Sequence, residues 1–142
     1  MKLRVLLLVV ISVFIFSGAA IYASNDTARD FLQSGYEKLA KGDLKAAIEN
    51  FNKAISIDPK NPQAYAGLGN AYTKKGDTEA AIETFNKAIS INPNNTYAYV
   101  GLYNVYFSRN DADSMLKKEE TLKKLEKLDK TLADKIRGQR IK

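Results

Sequence analysis

The acidic residues that could do chemistry recur at one spacing: Asp43, Asp77 and Asp111 are separated by equal intervals along the chain. Each precedes a predicted helix, where an aspartate acts as a cap, and repetition indicates architecture because a catalytic residue is needed only once. The 142-residue chain has no His and no Cys, which excludes a Cys nucleophile, a Ser-His-Asp triad, a His general base and a Cys- or His-ligated zinc. No Gly-rich loop resembles a phosphate cradle. The sequence therefore predicts no enzyme, no metal and no cofactor.

The elements that carry these aspartates form a repeat. The segment Phe51–Ile57 recurs letter for letter as Phe85–Ile91, at the same 34-residue offset that separates the aspartates. The pattern within each unit predicts two helices. In the second unit the first helix is expected from Pro62, capped by the residue before it, to Lys75, and Gly76 then supplies a left-handed turn. The second helix is expected to continue through residue 91, until an Asn-Pro pair stops it.

This pattern resembles the tetratricopeptide repeat (TPR) family. The second unit has the family's pattern in Tyr65, Leu68, Gly69, Tyr72, Ala81, Phe85 and Pro93. The first unit keeps Phe31, Gly35, Ala47, Phe51 and Pro59. The resemblance implies an all-α fold, a solenoid of helix pairs with three repeats, the third degenerate, and a C-terminal capping helix. The repeats are expected at about residues 28–61, 62–95 and 96–127, so that residues 24–111 hold most of the helix pairs.

The third unit departs from the pattern. Tyr103 stands where Gly is expected and Met115 where a small Ala is expected, which predicts a wider helix crossing. The proline that ends the first two units, last seen as Pro93, does not recur at the end of the third. Residues 112–142 are therefore predicted to form one long basic helix, which includes the second helix of the third repeat and the cap. Its apolar stripe consists of Leu122, Leu125, Leu128, Leu132 and Ile136.

The resemblance also implies a binding site, because in this family the first helix of each pair lines a concave groove that takes a partner's peptide. Helical periodicity selects the residues that would face this groove. They are Leu32, Tyr36 and Leu39 in the first unit; Gln63, Ala66, Asn70 and Thr73 in the second; and Tyr97, Val100, Asn104 and Phe107 in the third. The alternative is that part of this surface is core. Family members that grip a C-terminal carboxylate use Lys or Arg here, and Leu32, Ala66 and Val100 at those places argue against such a clamp.

Residues 1–23 have the order of a secretory signal: basic Lys2 and Arg4, an apolar run, then small residues. Cleavage is expected after Ala23 or Ala20. The alternative is an uncleaved membrane anchor formed by residues 5–23, since a spanning helix needs about 20 apolar residues. Both interpretations predict that the rest of the chain is exported, either periplasmic or secreted.

Positive charge is concentrated at the C-terminal end, where residues 115–142 contain ten basic and five acidic residues. Such a helix is usually a solvated face, although it could lie on an anionic membrane surface. Nucleic acid is disfavoured as a partner because no recognition motif is present. The sequence as a whole predicts a non-catalytic adaptor that binds a peptide segment of an envelope or secreted protein. The alternatives are a self-associating scaffold and a membrane-surface protein that uses the basic helix.

Overall fold

The computed structural model describes residues 27–109 and 111–139, and in this part of the chain every regular element is a helix. The predicted signal or anchor segment, residues 1–23, lies outside the described residues. Seven helices follow one another through short connections: α1 (residues 27–40), α2 (Leu44–Ile57), α3 (Pro62–Lys75), α4 (Thr78–Ile91), α5 (Thr96–Arg109), α6 (Ala112–Leu128) and α7 (Lys130–Gln139). The all-helical prediction is confirmed.

Local signals set the boundaries of the middle pair as predicted. The side chain of Asn61 accepts hydrogen bonds from the backbone amides of Gln63 and Ala64, both at 3.1 Å, and so caps α3. Gly76 ends α3 with a φ of 86°, a left-handed conformation that favours glycine. Gly42 does the same between α1 and α2, with a φ of 79°.

The three recurring aspartates all lie at helix N-termini, but only two make the predicted cap. Asp43 accepts a hydrogen bond from the amide of Ala46 at 3.1 Å, and Asp111 accepts one from the amide of Ser114 at 2.9 Å. The hydroxyl of Ser114 donates a second bond to Asp111 at 2.7 Å. Asp77 stands at the cap position of α4, but its side chain accepts no hydrogen bond from the helix. The prediction that it caps α4 is therefore wrong.

We expect Asp111→Ala to lower the melting temperature more than Asp77→Ala, because the side chain of Asp111 satisfies an orphan amide of its helix, that of Ser114, and the side chain of Asp77 satisfies none. The amide of Ser114, and then its hydroxyl, lower the pKa of Asp111 from 3.8 to about 2. Stabilisation by this group is therefore complete above the unfolded-state pKa and is lost as the pH falls through about 2. Thermal unfolding of both variants and the parent between pH 7 and pH 2 measures this, and the difference between Asp111→Ala and the parent should shrink towards pH 2. A difference that does not change with pH would contradict the cap.

The core is organised around one phenylalanine from each of the first two pairs. Phe85 of α4 is fully buried, and Gly69 of α3 and Gly101 of α5 both lie close to its ring. A Cβ built on Gly101 would lie 2.2 Å from the ring, and one on Gly69 would lie 2.7 Å from it. The ring thus fills the space between consecutive first helices and joins one helix pair to the next. Phe51 has the same relation to Gly35 and Gly67.

The C-terminal segment is two helices, and the prediction of one long helix is wrong. Helix α6 is three residues longer than α4, because no proline stops it where Pro93 stops α4. It ends at Asp129, whose side chain accepts from the amide of Leu132 at 2.9 Å and begins α7. The chain then folds back, and α7 packs on α5 and α6. Of the predicted apolar stripe, four members lie in or against this cluster, whereas Leu128 at the break is exposed; the four are Leu122, Leu125, Leu132 and Ile136.

The prediction that Met115 adds bulk to the helix crossing of the third pair is also wrong, because its side chain is 54% exposed. Ser114 is buried in its place. Ser114 and Thr121 each stand one position before the repeat equivalents of Ala81 and Ala88 of α4, and Leu122, the equivalent of Ala88 itself, is buried as well. The start of the buried face of α6 is therefore displaced by one position, and a small side chain is buried there.

Candidate functional site

The first helices α1, α3 and α5 lie side by side, and the side chains predicted to line a groove occur on them. We call this set the first-helix face. Those exposed on it are Tyr36, Gln63, Thr73, Tyr97 and Phe107. Half-buried members are Leu32, Asn70, Val100 and Asn104.

Two predicted groove residues are corrected to core positions. Leu39 is buried in the cluster that contains Phe51, and Ala66 is buried in the cluster that contains Phe85. Their side chains support the first-helix face from beneath and offer little surface to a partner. Val100 is partly covered as well, because it packs against the cluster that α7 forms with α5 and α6.

Two exposed tyrosines of the face lie on the helices on either side of α3. Tyr36 is 38% exposed and Tyr97 is 77% exposed. The hydroxyl of Tyr36 donates a hydrogen bond to the backbone carbonyl of Gln63 at 3.0 Å, and its ring meets Phe51 edge to face at 5.1 Å. Burial raises the pKa of Tyr36, with a smaller contribution from Tyr97. The two tyrosines therefore belong to one patch that flanks the first turn of α3.

The polar end of the face lies one to three turns further along α3. The hydroxyl of Thr73 donates a hydrogen bond to the carbonyl of Gly69 at 2.9 Å. Asn70 lies between Gln63 and Thr73 along the same side of α3. The ammonium of Lys74 lies 3.4 Å from the carbonyl of Leu39, which ties α3 to the end of α1. Lys74 was not among the residues predicted from the sequence to belong to this face. The only sequence feature that could have indicated it is its position next to Thr73.

Phe107 lies where the face meets α6. Its ring stacks on Tyr103 with centroids 6.2 Å apart, and the ammonium of Lys118 lies 5.6 Å from its centroid. Phe107 is thus part of the packing between α5 and α6 as well as part of the exposed face. Its removal would disturb the fold more than removal of Tyr97.

Lys117 of α6 and Arg137 of α7 are paired with acidic side chains. Lys117 binds Asp113 at 2.6 Å one turn away. Arg137 of α7 binds Glu126 of α6, and it also approaches Asp134 at 3.5 Å. These pairs lower the field that this surface presents to an anionic partner.

Neither a metal centre nor a membrane span is found among residues 27–109 and 111–139. In that part of the chain no three acidic side chains come close enough to hold a metal ion. No helix there is both long enough and apolar enough to cross a membrane.

Comparison with known families agrees with this architecture. Residues 35–76 match the family described as TPR repeat, and residues 62–95 match the family described as tetratricopeptide repeat. No curated protein sequence matches the chain. The chain therefore contains tetratricopeptide repeats over residues 35–95, as the sequence predicted.

Solved structures share the fold. The first TPR of Spaghetti (RPAP3), bound to the HSP90 peptide SRMEEVD, has a TM-score of 0.70 at 18% identity, over 83% of this chain and 98% of that one. The TPR2B domain of yeast Sti1 in complex with pHsp70 has a TM-score of 0.69 at 23% identity, over 76% and 84%. TTC0263, a thermophilic TPR protein of Thermus thermophilus, has a TM-score of 0.66 at 22% identity, over 72% of this chain and 57% of its own. At these identities the similarity shows the fold.

Proposed function

We propose that this protein is a non-catalytic interaction module that binds a peptide segment of another protein on its first-helix face. The observation that carries the proposal is the exposure of Tyr36 and Tyr97 on the rigid helices α1 and α5, which lie on either side of α3. Exposed aromatic side chains held on rigid elements supply contact area at a low entropic cost. Two structural neighbours, from Spaghetti and from yeast Sti1, are described as peptide or chaperone complexes, which supports the same use of the fold.

We further infer that α5 and α6 form a third repeat and that α7 begins a fourth. Capping side chains with the same role recur at the repeat interval. Asn61 caps α3, Asn95 accepts from the amide of Ala98 at the start of α5, and Asp129 caps α7. The unusual features of the third pair, a longer second helix and a displaced buried face, fit a unit at the end of a stack.

Catalysis has no support on this face. Its polar members are amides and hydroxyls, and the hydroxyls of Tyr36 and Thr73 already donate to backbone carbonyls. The repeated aspartates lie at helix N-termini, where two of the three make capping bonds. These groups hold structure and leave no acid, base or nucleophile placed for a reaction.

Capture of a partner tests the proposal. We expect a protein captured by the parent chain from native extract to be retained at high salt and lost with Tyr97→Ala, because the contact is aromatic and uncharged. The matched control is Leu116→Ala, which removes a side chain that is 75% exposed on α6 and outside the face. Circular dichroism should show both variants folded. A partner that is released by salt and indifferent to Tyr97→Ala would place binding on the basic helices instead.

Export to the envelope or the exterior remains part of the proposal, and its support is the order of charged, apolar and small residues in 1–23. We expect protein recovered from the extracytoplasmic fraction to have the intact mass of a chain beginning at residue 24 or 21. A full-length mass in the membrane fraction would favour the anchor. Recovery from the cytoplasm at full length would contradict export.

The alternative of a self-associating scaffold has less support, because the outer face of α1 is polar. Where α3 presents buried Ala64, Gly67 and Ala71 to the preceding pair, the equivalent residues of α1 are exposed and polar: Asp30, Gln33 and Glu37. Gln33 and Glu37 hydrogen-bond each other at 3.1 Å. A polar outer face of this kind is typical of the end of a repeat stack and opposes end-to-end association.

A further inference from the structure

The connection between α6 and α7 is shorter than those between the preceding helix pairs. Residues 58–61 separate α2 from α3 and residues 92–95 separate α4 from α5, and each of these connections contains a proline. Asp129 alone separates α6 from α7. Its amide donates to the carbonyl of Leu125 at 2.7 Å and its carbonyl accepts from the amide of Ala133 at 3.1 Å, which are the bonds of a helix. A change of backbone conformation around one residue therefore separates this bent form from a continuous helix.

A continuous helix through Asp129 would gain backbone hydrogen bonds and complete the apolar stripe. The amides of residues 130–132 would donate to the carbonyls of residues 126–128. In the bent form the amide of Leu132 donates to the carboxylate of Asp129 instead, at 2.9 Å. Leu128, which is 37% exposed at the break, would rejoin the stripe. What favours the bent form is the packing of α7 against α5 and α6.

Helix α7 is attached without the phenylalanine that joins the preceding units. Phe85 packs against Gly101 of the next first helix, and the residues one repeat further on are Glu119 and Lys135, both exposed. The ion pair of Arg137 with Glu126 and a small apolar cluster hold α7 instead. In this cluster Leu132, Ala133 and Ile136 of α7 meet Tyr103, Leu122 and Leu125. These contacts need α7 to lie on a third unit, whichever copy of the chain supplies it.

We propose that two copies of this chain exchange α7. In each copy α6 and α7 join into one helix through Asp129, and α7 covers the cluster around Tyr103 in the second copy. The exchange keeps the contacts of α7 and gains the helical bonds of residues 130–132. Association costs translational freedom, so the bent monomer is favoured in dilute solution and the dimer at high concentration.

This dimer is distinct from the proposed peptide binding and from an end-to-end stack. The exchange is reciprocal, so two copies close on each other and add no third. It uses the C-terminal end of the solenoid, whereas stacking would also need the outer face of α1, which is polar.

Lys130 offers a substitution that permits only the bent form. It is the first residue of α7, the position that Pro62 has in α3. Proline is favoured at a first helical position, but inside a continuous helix it removes a hydrogen bond and clashes with the preceding turn. The extended backbone of Asp129, with φ −152° and ψ 91°, is compatible with a proline after it. Lys130→Pro should therefore weaken dimer formation by about a hundredfold or more and leave the monomer folded.

Light scattering after size-exclusion chromatography of the full chain, over a range of concentrations, measures the equilibrium. We expect the parent to dimerise as its concentration rises and Lys130→Pro to remain monomeric. Asp129→Ala should strengthen dimer formation by about tenfold, because alanine is the better helix former and cannot cap α7. The matched control is Asp77→Ala, which removes an aspartate whose side chain makes no capping bond and should change dimer formation less than about twofold.

Crosslinking identifies the copy that supplies α7. The chain has no cysteine, so Glu126→Cys in one copy and Arg137→Cys in another place single thiols at positions that pair between α6 and α7. We expect a short bis-maleimide to join the two variants into a heterodimer, identified by its mass, when they are mixed at high concentration. Glu83→Cys, on the exposed side of α4, replaces Arg137→Cys in the control mixture and should give no heterodimer.

Three results would overturn the exchange. A parent and an Asp129→Ala variant that both stay monomeric at millimolar concentration would mean that α7 remains on its own chain. A dimer that Lys130→Pro leaves unchanged would mean that the copies associate through another surface. A dimer in which the thiols at residues 126 and 137 are not joined between copies would mean the same. If circular dichroism shows Lys130→Pro to be unfolded, the crosslinking result decides alone.

Discussion

Replacement of Phe85 by alanine is expected to lower the free energy of unfolding by about 3–5 kcal/mol, the range for removing a buried phenylalanine. The upper part of this range applies because the site cannot collapse. Gly69 and Gly101 face the ring from two helices, and neither has a side chain that could move into the space that the ring leaves. Since small domains are stable by only about 5–15 kcal/mol, this loss is a large fraction of the total stability.

Urea and thermal unfolding followed by circular dichroism measure this loss. The control is Leu116→Ala, which removes an exposed apolar side chain from α6 and should change stability by less than about 0.5 kcal/mol. A loss below about 1 kcal/mol for Phe85→Ala would mean that α3 and α5 do not close on the ring as described.

The helix pairs could be predicted from the sequence because their boundaries depend on local chemistry. Asn61, Pro62 and Gly76 act within a turn of their own positions, through a cap, a fixed φ and a left-handed φ, so no distant contact is needed to interpret them. Because the unit recurs at a fixed interval, the same boundaries could be predicted for the other helix pairs. The TPR architecture followed from the same residues.

The break at Asp129 was missed because the apolar stripe continues through it with helical spacing, so periodicity is satisfied by one helix or by two. A local signal was present: Asp129 stands 34 residues after Asn95, which caps α5, and it accepts from the amide of Leu132 at the start of α7. The cluster that α7 forms with α5 and α6, which includes Tyr103, Ala133 and Ile136, is a tertiary feature that a single-helix pattern does not contain.

For the candidate site, periodicity selected positions on the first helix of each pair but could not rank them by exposure. It gave Tyr97 and Leu39 equal weight, whereas the first is largely exposed and the second is buried. Burial of Leu39 depends on how far the side chains of α2 and α3 reach, and a single-helix pattern does not contain that information. The proximity of Tyr36 to Tyr97 likewise arises only when α1 and α5 are placed on either side of α3.

Substitution of Gly101 by alanine is expected to destabilise the protein by about 1–3 kcal/mol, although alanine is the better helix former by about 1 kcal/mol. The added methyl group would lie 2.2 Å from the ring of Phe85. The ring has little room to move, because it is fully buried and Gly69 of α3 also lies close to it. Gly138 provides the matched control: it is an exposed helical glycine with no atom within 4 Å of an added Cβ, so Gly138→Ala should be neutral or stabilising.

Chemical denaturation of both variants compares the two sites directly. Combining Gly101→Ala with Phe85→Leu tests the cause, because a smaller side chain at residue 85 leaves room for the methyl group, and the two losses should then sum to more than the loss in the double variant. Simple additivity would show that the cost of Gly101→Ala arises elsewhere in α5. Coupling between the two positions would establish that the contact between a glycine of one pair and a phenylalanine of the pair before it holds consecutive units of this solenoid together.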